Sequence, residues 1–362
     1  MVALPHCLLF WRSFTHWVGG MGVLVFLLAI LPMAGGSDMF LMRAESPGPD
    51  VQKLVPKVRK TAMTLYGLYI ILTVLEIICL LLGRMPLFDT LCISFGTAGT
   101  GGFGVRNDSC GSYSTYCQIV ITIGMIMFGV NFNVYYLLYR RRLRDALKVS
   151  EMWVYLSIIA VAILLIFCNI FTIGGETVGK KLLDSAFQVA SIITTTGYST
   201  ADFDLWPNLS RTILVLLMFI GACAGSTGGG IKVSRIQMLV KSVIRELDYT
   251  IHPNSIRKVK LDGKQVEHTV LRSVYIFMAA YMLVLVGSIL ILSFDKLDLV
   301  SNFTAVAATL NNIGPGLSQV GPTQNFAQYS LLSTVVLTFD MIAGRLELFP
   351  VLVLFSYRTW KK

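Results

Sequence analysis

Three short segments rich in small residues lie between long apolar stretches, and each follows an apolar stretch too short to cross a bilayer. The segments are Gly96–Gly104, Thr194–Ser199 and Asn311–Gly316. A non-helical backbone cannot face lipid, because its N–H and C=O groups would have no hydrogen-bond partners. Such segments are tolerated where they line a water-filled path, and there their carbonyl oxygens can replace the hydration shell of a cation. The pattern therefore predicts a pore built from repeated units of helix, re-entrant loop and helix, as in potassium channels.

The composition places the chain in a membrane. The 362 residues are 55% hydrophobic and 14% charged, with a mean hydropathy of +0.70, whereas soluble domains carry about 25% charged residues. The formal net charge of +10 would suit nucleic acid, but no basic, aromatic-rich surface stands apart from the apolar stretches, so we expect no nucleic-acid partner. We predict an all-α polytopic membrane protein.

The long apolar stretches predict the spans. They cover Leu8–Met33, Ala62–Gly83, Tyr113–Tyr139, Met152–Gly174, Val270–Phe294 and Phe326–Tyr357. A further span starts at Leu209–Ala224, breaks at Gly225–Gly230 and resumes as a basic helix to about Leu247, before a basic, polar connection over Tyr249–Glu267. Three shorter helices fall below the about 20 residues that a span needs. These are predicted at Pro86–Gly96, Leu182–Ile193 and Leu297–Leu310.

The unit of span, short helix, glycine-rich loop and span occurs three times, at a spacing of about one hundred residues, and such repetition is typical of membrane transporters. We divide the chain into 1–61, 62–150, 151–267 and 268–362. The first part holds a lone span that looks like the second half of a fourth unit. Its outward N-terminus without a signal peptide also favours an incomplete start. We therefore expect that the first pore-loop unit is missing, and that the chain is a fragment or a form that does not conduct.

Lysine and arginine residues predict the orientation. Most of the 30 lie in 42–60, 140–148, 232–264 and the C-terminal tail. The opposite face holds Arg84, Arg106, Lys180, Lys181, Arg211 and Lys296. The positive-inside rule places the first set and the C-terminus in the cytoplasm of a multi-pass inner-membrane protein. The glycine-rich loops then enter from outside. Cys110 and Cys117 lie in one external loop, where a disulfide is possible.

A carbonyl filter needs an extended strand and a glycine that lets the chain turn. Gly102, Gly197 and Gly314 suit this role, because each follows small or polar residues and precedes a bulky or rigid one. Glycine-rich loops are often simple turns, but three of them behind short helices disfavour that alternative. The predicted potassium-binding filter comprises Thr100, Gly101, Gly102, Thr195, Thr196, Gly197, Asn312, Ile313 and Gly314.

Three motifs carry a resemblance to a known family. They are Phe10–Trp17 with Gly19–Gly22, Gly221–Lys232, and Gly344–Pro350. Over essentially the whole chain, the sequence resembles the bacterial TrkH/KtrB potassium-uptake subunits of the Trk/Ktr/HKT family. The resemblance implies four units around one pore, a homodimer in membrane lipid, and a cytoplasmic nucleotide-binding subunit of the TrkA/KtrA type. It implies K+ as the transported ion and no cofactor in this chain, the nucleotide being bound only by the partner. It also places the filter glycines at Gly102, Gly197 and Gly314.

The small residues within the broken span are the second candidate site. A run of this kind cannot hold a stiff helix, and the resemblance implies an intramembrane loop that lies under the filter and gates the pore. The predicted gate comprises Gly225, Ser226, Thr227, Gly228, Gly229, Gly230 and Lys232. A phosphate-binding loop is excluded, because the lysine comes one place late and no strand precedes it. A kink made by packing remains an alternative.

Arg345 is the third candidate, because a charge within a span is costly and usually functional. The resemblance implies a position below the filter that influences the gate. The alternative is a structural ion pair with Asp340, Glu347 or a neighbouring helix. Arg12 and His16 lie one turn apart on the first span. We interpret them as packing and interface residues, because no acidic or cysteine neighbour completes a site.

The leading hypothesis is a subunit that moves K+ across the membrane. The alternative is a fragment or regulatory membrane protein that derives from such a subunit and does not conduct. An intramembrane enzyme would need a nucleophile with its base, paired carboxylates or metal ligands within the spans, and the sequence shows no such set. Sequence leaves open the preference for K+ over Na+, and also whether transport is channel-like or a symport with H+ or Na+.

Overall fold

The computed structural model describes residues 4–20, 22, 58–171, 177–252, 258–355 and 357–361. The helices in chain order are α1 (His6–Gly20), α2 (Val58–Leu82), α3 (Leu87–Ala98), α4 (Thr115–Phe128), α5 (Phe132–Tyr139), α6 (Leu143–Leu147), α7 (Ser150–Ile170), α8 (Val178–Ile193), α9 (Asn208–Ile220), α10 (Val233–Ile251), α11 (His268–Leu292), α12 (Leu299–Leu310), α13 (Leu331–Arg345), α14 (Phe349–Leu354) and α15 (Tyr357–Trp360). The strands are β1 (Lys260–Leu261) and β2 (Lys264–Gln265), and single 3-10 turns form at Phe203–Leu205 and Ser318–Val320. Of the predicted span Leu8–Met33, only the α1 portion and Gly22 lie within the described residues. Most of the basic loop at 42–60 lies outside them.

Three helices are long and apolar enough to cross a membrane within the described part of the chain: Ala62–Leu82, Ser150–Ile170 and His268–Leu292. Only 28% of each span is buried inside the protein, so most of its side chains face outward, where lipid would solvate them. The short helices behave differently. In α8 every residue from Phe187 to Ile193 is buried, and α12 is buried from Thr304 to Leu310. The C-terminal halves of the short helices are therefore enclosed by the protein, while the first residue of each is exposed.

Each short helix packs between the two longer helices of its own unit. The contacts join α3 to α2 and α4, α8 to α7 and α9, and α12 to α11 and α13. The isolated first helix, α1, packs on α3. The repeated unit inferred from sequence is thus repeated in three dimensions, and the C-terminal ends of all three short helices lead into the glycine-rich segments.

The predicted span over Tyr113–Tyr139 is a bent pair of helices rather than one continuous helix. The chain bends by 89° between α4 and α5. Gly129 caps the C-terminus of α4, and the Asn131 side chain caps α5 by accepting a hydrogen bond from the Asn133 N–H at 2.9 Å. These cap residues satisfy the backbone groups that a break exposes.

The prediction that the last helix runs unbroken over Phe326–Tyr357 is wrong. The chain leaves the helix after Arg345, because Glu347 and Leu348 have φ values of 64° and 59°. Pro350 then stands near the start of α14, where its missing N–H costs no hydrogen bond. The segment therefore forms α13, α14 and α15 rather than one rod.

The predicted polar connection over Tyr249–Glu267 contains a small antiparallel hairpin. Asp262 and Gly263 join β1 to β2 with φ values of 50° and 77°, which is the conformation of a tight hairpin turn. The Asp262 carboxylate accepts a hydrogen bond from the Ser150 N–H at 2.7 Å, and Lys241 donates to the Lys260 carbonyl at 2.9 Å. These bonds bring the basic segments around 140–150, 241 and 260–264 to one end of the molecule.

Candidate ion pathway and gate

The three glycine-rich segments share one backbone conformation. Each pore helix, as we name α3, α8 and α12, is followed by a residue with left-handed backbone: Thr100, Thr195 and Asn312 have φ values of 56°, 58° and 57°. Two residues later the chain is left-handed again. Gly102, Gly197 and Gly314 have φ values of 62°, 86° and 108°. The nine predicted filter residues thus form three equivalent triplets, here called filter triplets.

The hydrogen bonds of the triplets repeat as well. The N–H of Gly101 donates to Gly96 O at 2.7 Å, that of Thr196 to Ser191 O at 2.9 Å, and that of Ile313 to Ala308 O at 2.8 Å. A bond that spans five residues around a left-handed position is a Schellman motif, which ends a helix and satisfies its last carbonyl groups. The filter triplets are therefore built directly onto the ends of the pore helices.

Two of the filter glycines lie against the next triplet. A Cβ atom on Gly102 would lie 2.0 Å from the carbonyl oxygen of Thr196, and one on Gly197 would lie 2.0 Å from that of Ile313. These positions need glycine for close approach as well as for backbone conformation. A Cβ on Gly314 would meet none of the described residues within 4 Å. Among the described residues, the three triplets thus form an arc in chain order.

The hydroxyl groups of Thr194, just before the second triplet, and of Thr196, within it, form hydrogen bonds inside the protein. Thr194 Oγ1 lies 2.6 Å from Ala190 O and 2.8 Å from Thr196 Oγ1. The Tyr198 hydroxyl donates to Ile93 O in the first pore helix at 3.1 Å, and Ser191 Oγ lies 2.5 Å from Tyr198 O. Side-chain bonds therefore hold this triplet to its own helix and to its neighbour.

The broken span is interrupted from Gly221 to Lys232, four residues earlier than predicted. We call this segment the gate loop. Left-handed backbone occurs at Gly221, Gly225, Gly230 and Lys232. The N–H groups of Ile231 and Lys232 donate to Phe219 O and Ile220 O at 3.1 and 3.0 Å. The two ends of the loop are thus closed on each other, and the final carbonyl groups of α9 are paired.

The gate loop contacts all three filter triplets or the residues just before them. The Gly229 N–H donates to Thr195 Oγ1 at 2.6 Å, and Thr100 Oγ1 donates to Thr227 O at 2.8 Å. A Cβ on Gly229 would lie 2.5 Å from Asn311 O, and one on Gly228 would lie 2.9 Å from Thr194 O. Backbone fills the space beside the pore-helix ends, and any side chain at these glycines would displace it.

Two cationic side chains hold the gate loop by its carbonyl groups. Arg345 Nη1 donates to Thr227 O at 3.1 Å and Nη2 to Gly19 O at 3.3 Å. The buried Lys232 donates to Gly228 O. The ion-pair alternative for Arg345 gains no support from the two acids on its own segment. Glu347 pairs with Arg235, and Asp340 accepts from Ser288 Oγ at 2.8 Å.

Residues outside the predicted filter and gate also hold this region together, among them Arg12 and His16, which we interpret from the sequence as packing and interface residues, and Glu151 and Asn131, which the sequence did not single out. Arg12 donates to Gly104 O at 2.9 Å, and His16 Nε2 lies 2.9 Å from Gly99 O, so these side chains brace the first filter segment from α1. Glu151 and Asn131 hold the gate loop from α7 and from the α4–α5 bend. The sequence offers one signal for Glu151, which is an acidic residue in the first turn of an apolar span. The ordinary explanation of such a residue is that its negative charge interacts favourably with the helix dipole.

The thiols of Cys110 and Cys117 are both free and buried. Cys117 Sγ lies 3.6 Å from Gly83 O. Cys117 lies on α4 and Cys110 in the loop before it, and the two thiols form no disulfide.

Comparison with known proteins gives consistent matches. The family model TrkH, described as a cation transport protein, matches residues 1–361. The Trk system potassium uptake protein TrkH of Salmonella typhimurium is 37% identical, with 99% of this chain and 75% of that protein covered. The Trk system potassium uptake protein TrkG of Escherichia coli is 33% identical, with 99% and 74% covered. The crystal structure of the potassium transporter TrkH from Vibrio parahaemolyticus superposes with a TM-score of 0.85 at 32% identity, covering 99% of this chain and 74% of that one.

Proposed function

Because the chain belongs to the TrkH family of cation transport proteins, we propose that it is the membrane subunit of a Trk-type potassium-uptake system. K+ crosses it along the filter triplets. The observation that carries the proposal is the same left-handed, Schellman-terminated backbone in all three triplets. In this proposal the repeated backbone presents its carbonyl oxygens to the ion from successive sides, as dehydration of a cation requires.

The filter triplets place backbone oxygens beside glycines. The carbonyl oxygen of Thr196 lies against Gly102, and that of Ile313 lies against Gly197, each 2.0 Å from where a Cβ atom would stand. Potassium is the cargo, and the chain binds it through backbone groups at Thr100–Gly102, Thr195–Gly197 and Asn312–Gly314. Three parts of the chain, 62–150, 151–267 and 268–362, each supply one triplet.

We propose that the gate loop is closed in this conformation. Its hydrogen bonds to Thr100 and Thr195 hold it against the filter triplets. Lys232 and Arg345 add two positive charges beside the path, and these repel a cation that leaves the filter. Opening requires these bonds to break and the loop to withdraw toward the cytoplasm.

The family and the repeated name "Trk system" among its relatives support a multi-subunit assembly. We propose a homodimer in the inner membrane that works with a cytoplasmic nucleotide-binding subunit of the TrkA/KtrA type. The clustering of basic segments at the hairpin end supports a cytoplasmic location for that end and for the C-terminus. The chain itself carries no nucleotide in this proposal.

A Cβ on Gly314 would meet nothing within 4 Å among the described residues, and this favours a second candidate, a membrane protein that derives from such a subunit and does not conduct. Tracer flux into liposomes that contain the purified chain separates the two. K+ flux that exceeds Na+ flux supports the first candidate. Absence of flux from correctly folded protein supports the second.

Deletion of Gly228–Gly230 tests the gate. The deletion removes the contact with Thr195 and the Lys232 anchor while leaving the filter triplets in place. We expect K+ flux to rise in the absence of any partner, with an unchanged ratio of K+ to Na+. Equal flux in the deletion variant and its parent would remove the gate assignment.

A further inference from the structure

One carboxylate joins both ends of the gate loop. Glu151 lies in the first turn of α7 and is 5% exposed. Its Oε1 accepts the Ala224 N–H at 2.7 Å near the start of the loop and the Ser234 N–H at 3.1 Å just after its end. Its Oε2 accepts from Asn131 Nδ2 at 3.2 Å. A single side chain thus closes the loop at its base and ties it to the α4–α5 bend.

The donors suit an ionised carboxylate. The Ser234 N–H belongs to the first turn of α10, where backbone N–H groups have no partner within the helix and the dipole favours negative charge. The Ala224 N–H lies in non-helical backbone within the protein. Hydrogen bonds to an ionised group are shorter and stronger than neutral ones, and Glu151 receives three hydrogen bonds from N–H donors.

The α4–α5 bend is shaped to receive the loop. The Cys223 N–H donates to Gly129 O at 3.1 Å, and the Phe132 N–H donates to Gly225 O at 3.0 Å. Thr227 Oγ1 donates to Phe128 O at 3.2 Å. The break in the predicted span Tyr113–Tyr139 frees these backbone groups to pair with the loop. Asn131 stands within the same break and carries the bond to Glu151.

We propose that Glu151 is a positioning residue that latches the gate loop in its closed conformation. This rests on the proposed role of the loop as the gate. Glu151 touches neither the filter triplets nor the path beside them, and it acts only by fixing where the loop starts and ends. Loss of its carboxylate frees both ends together, so the loop opens more often while the filter keeps its selectivity.

The test compares Glu151→Gln and Glu151→Ala with the parent in detergent and in liposomes. Glu246→Gln is the matched control, since Glu246 lies on α10 with a side chain that is 67% exposed. Hydrogen exchange of peptides that cover 221–234 reports loop opening, and tracer flux reports conduction. We expect exchange in this segment to rise about tenfold in Glu151→Ala, as loss of charge-assisted hydrogen bonds implies. Glu151→Gln should show a smaller rise, and the control should match the parent.

The two proposals can fail separately. Unchanged exchange at 221–234 in both Glu151 variants would overturn the latch, whatever the flux. Flux that rises on deletion of Gly228–Gly230 but not in the Glu151 variants would also overturn it. Faster exchange without added flux, in the variants and in the deletion alike, would support the latch and remove the gate. Should Glu151→Ala fail to elute as folded protein, Glu151→Gln decides the outcome.

Discussion

The residues at the left-handed ends of the pore helices are not glycines, although a side chain there costs about 1 kcal/mol. In the structure, each of these side chains forms a hydrogen bond with another segment. Thr100 donates to Thr227 O, Thr195 accepts from Gly229 N, and Asn312 Nδ2 donates to Met341 O at 3.1 Å. Each one fastens its triplet to another segment: two to the gate loop and one to α13. Glycine would ease the backbone and lose the attachment.

Replacement of Thr195 separates these two effects. Thr195→Gly removes the hydroxyl that accepts from Gly229 N at 2.6 Å and leaves the left-handed conformation easy to adopt. We expect a several-fold rise in K+ flux without partner, from a protein of unchanged or higher thermal stability. Thr195→Ser keeps the hydroxyl and should behave as the parent in the same tracer assay. Equal flux in the glycine and serine variants would show that this bond does not hold the gate.

Gly197→Ser tests the filter itself. A Cβ at this position would lie 2.0 Å from Ile313 O, and the φ of 86° is strained for serine, so the backbone must shift and present its carbonyl oxygens differently. We expect the ratio of K+ to Na+ flux to fall several-fold. Gly179→Ser is the control, because a Cβ there meets nothing within 4 Å among the described residues. An unchanged flux ratio would count against Gly197 as part of the filter.

Sequence located the candidate residues of filter and gate, but not what fastens them. The triplets follow from small residues after short helices, a pattern that is local. The bond from Glu151 to Ala224 joins residues 73 positions apart, and that from Thr100 to Thr227 joins residues 127 apart. A bond of that kind depends on how the units pack, which one sequence does not display. The roles of the filter and gate residues stay predictions until flux is measured.

At the scale of the element, hydropathy identified helices and misjudged their continuity. The short helices were expected and are present, because their length fits neither a span nor a turn. The bend at Gly129–Asn131 and the end of α13 at Arg345 were missed. The two helices around the bend are together as apolar as a span, and the bend pairs with another element, since Phe132 N donates to Gly225 O. Helix α13 ends where Glu347 and Leu348 take left-handed backbone. The hairpin at Lys260–Gln265 was missed because each strand has only two residues.

The cap of the third pore helix gives a pH-dependent prediction. The Asp298 carboxylate accepts from the backbone N–H and hydroxyl of Ser301, and the hydroxyl bond keeps the pKa of Asp298 below its usual value. A lowered pKa means that the stabilisation is present at neutral pH and is lost as the pH falls below about 4. We expect Asp298→Ala to lower the free energy of unfolding by about 1 kcal/mol at pH 7. Thermal unfolding in detergent should show this difference shrinking toward pH 3. An equal difference at both pH values would contradict the assigned cap.

At the scale of the molecule, the membership of the family and the all-α membrane fold were predicted correctly from sequence. The repeated units made the fold predictable, since three copies of one pattern constrain a fold far more than one copy does. The three motifs quoted above made the family recognisable. The chain spans about three quarters of the length of the relatives that it matches. The structure adds that the triplets meet in chain order, Gly102 against the second triplet and Gly197 against the third.

The described residues contain three filter triplets, and this arrangement predicts how the 362-residue chain behaves when tested by itself. An ion coordinated by an arc of three triplets either stays hydrated on one side or loses water there without gaining protein oxygens in its place, so part of the free energy of dehydration is not compensated. We expect the chain to restore growth of a potassium-uptake-deficient bacterium on low K+ poorly. A fusion to the part of the Salmonella relative that the match does not cover should restore it well. Strong rescue by the unfused chain at normal expression would show that three triplets suffice.

The hydrogen bonds of Thr100 and Thr195 join two of the filter triplets to the gate loop, so the conformations of the triplets and of the loop are coupled. Two sites that share a conformational equilibrium influence each other by the same factor in both directions. In the proposed function, occupancy of the filter triplets by K+ would therefore alter how readily the gate loop withdraws, and withdrawal of the loop would alter how tightly the triplets hold the ion by an equal amount. A cytoplasmic regulator that pulls on α10 would thus change the affinity of the filter triplets for the ion without contacting them. External potassium would in turn act as an effector of that regulator.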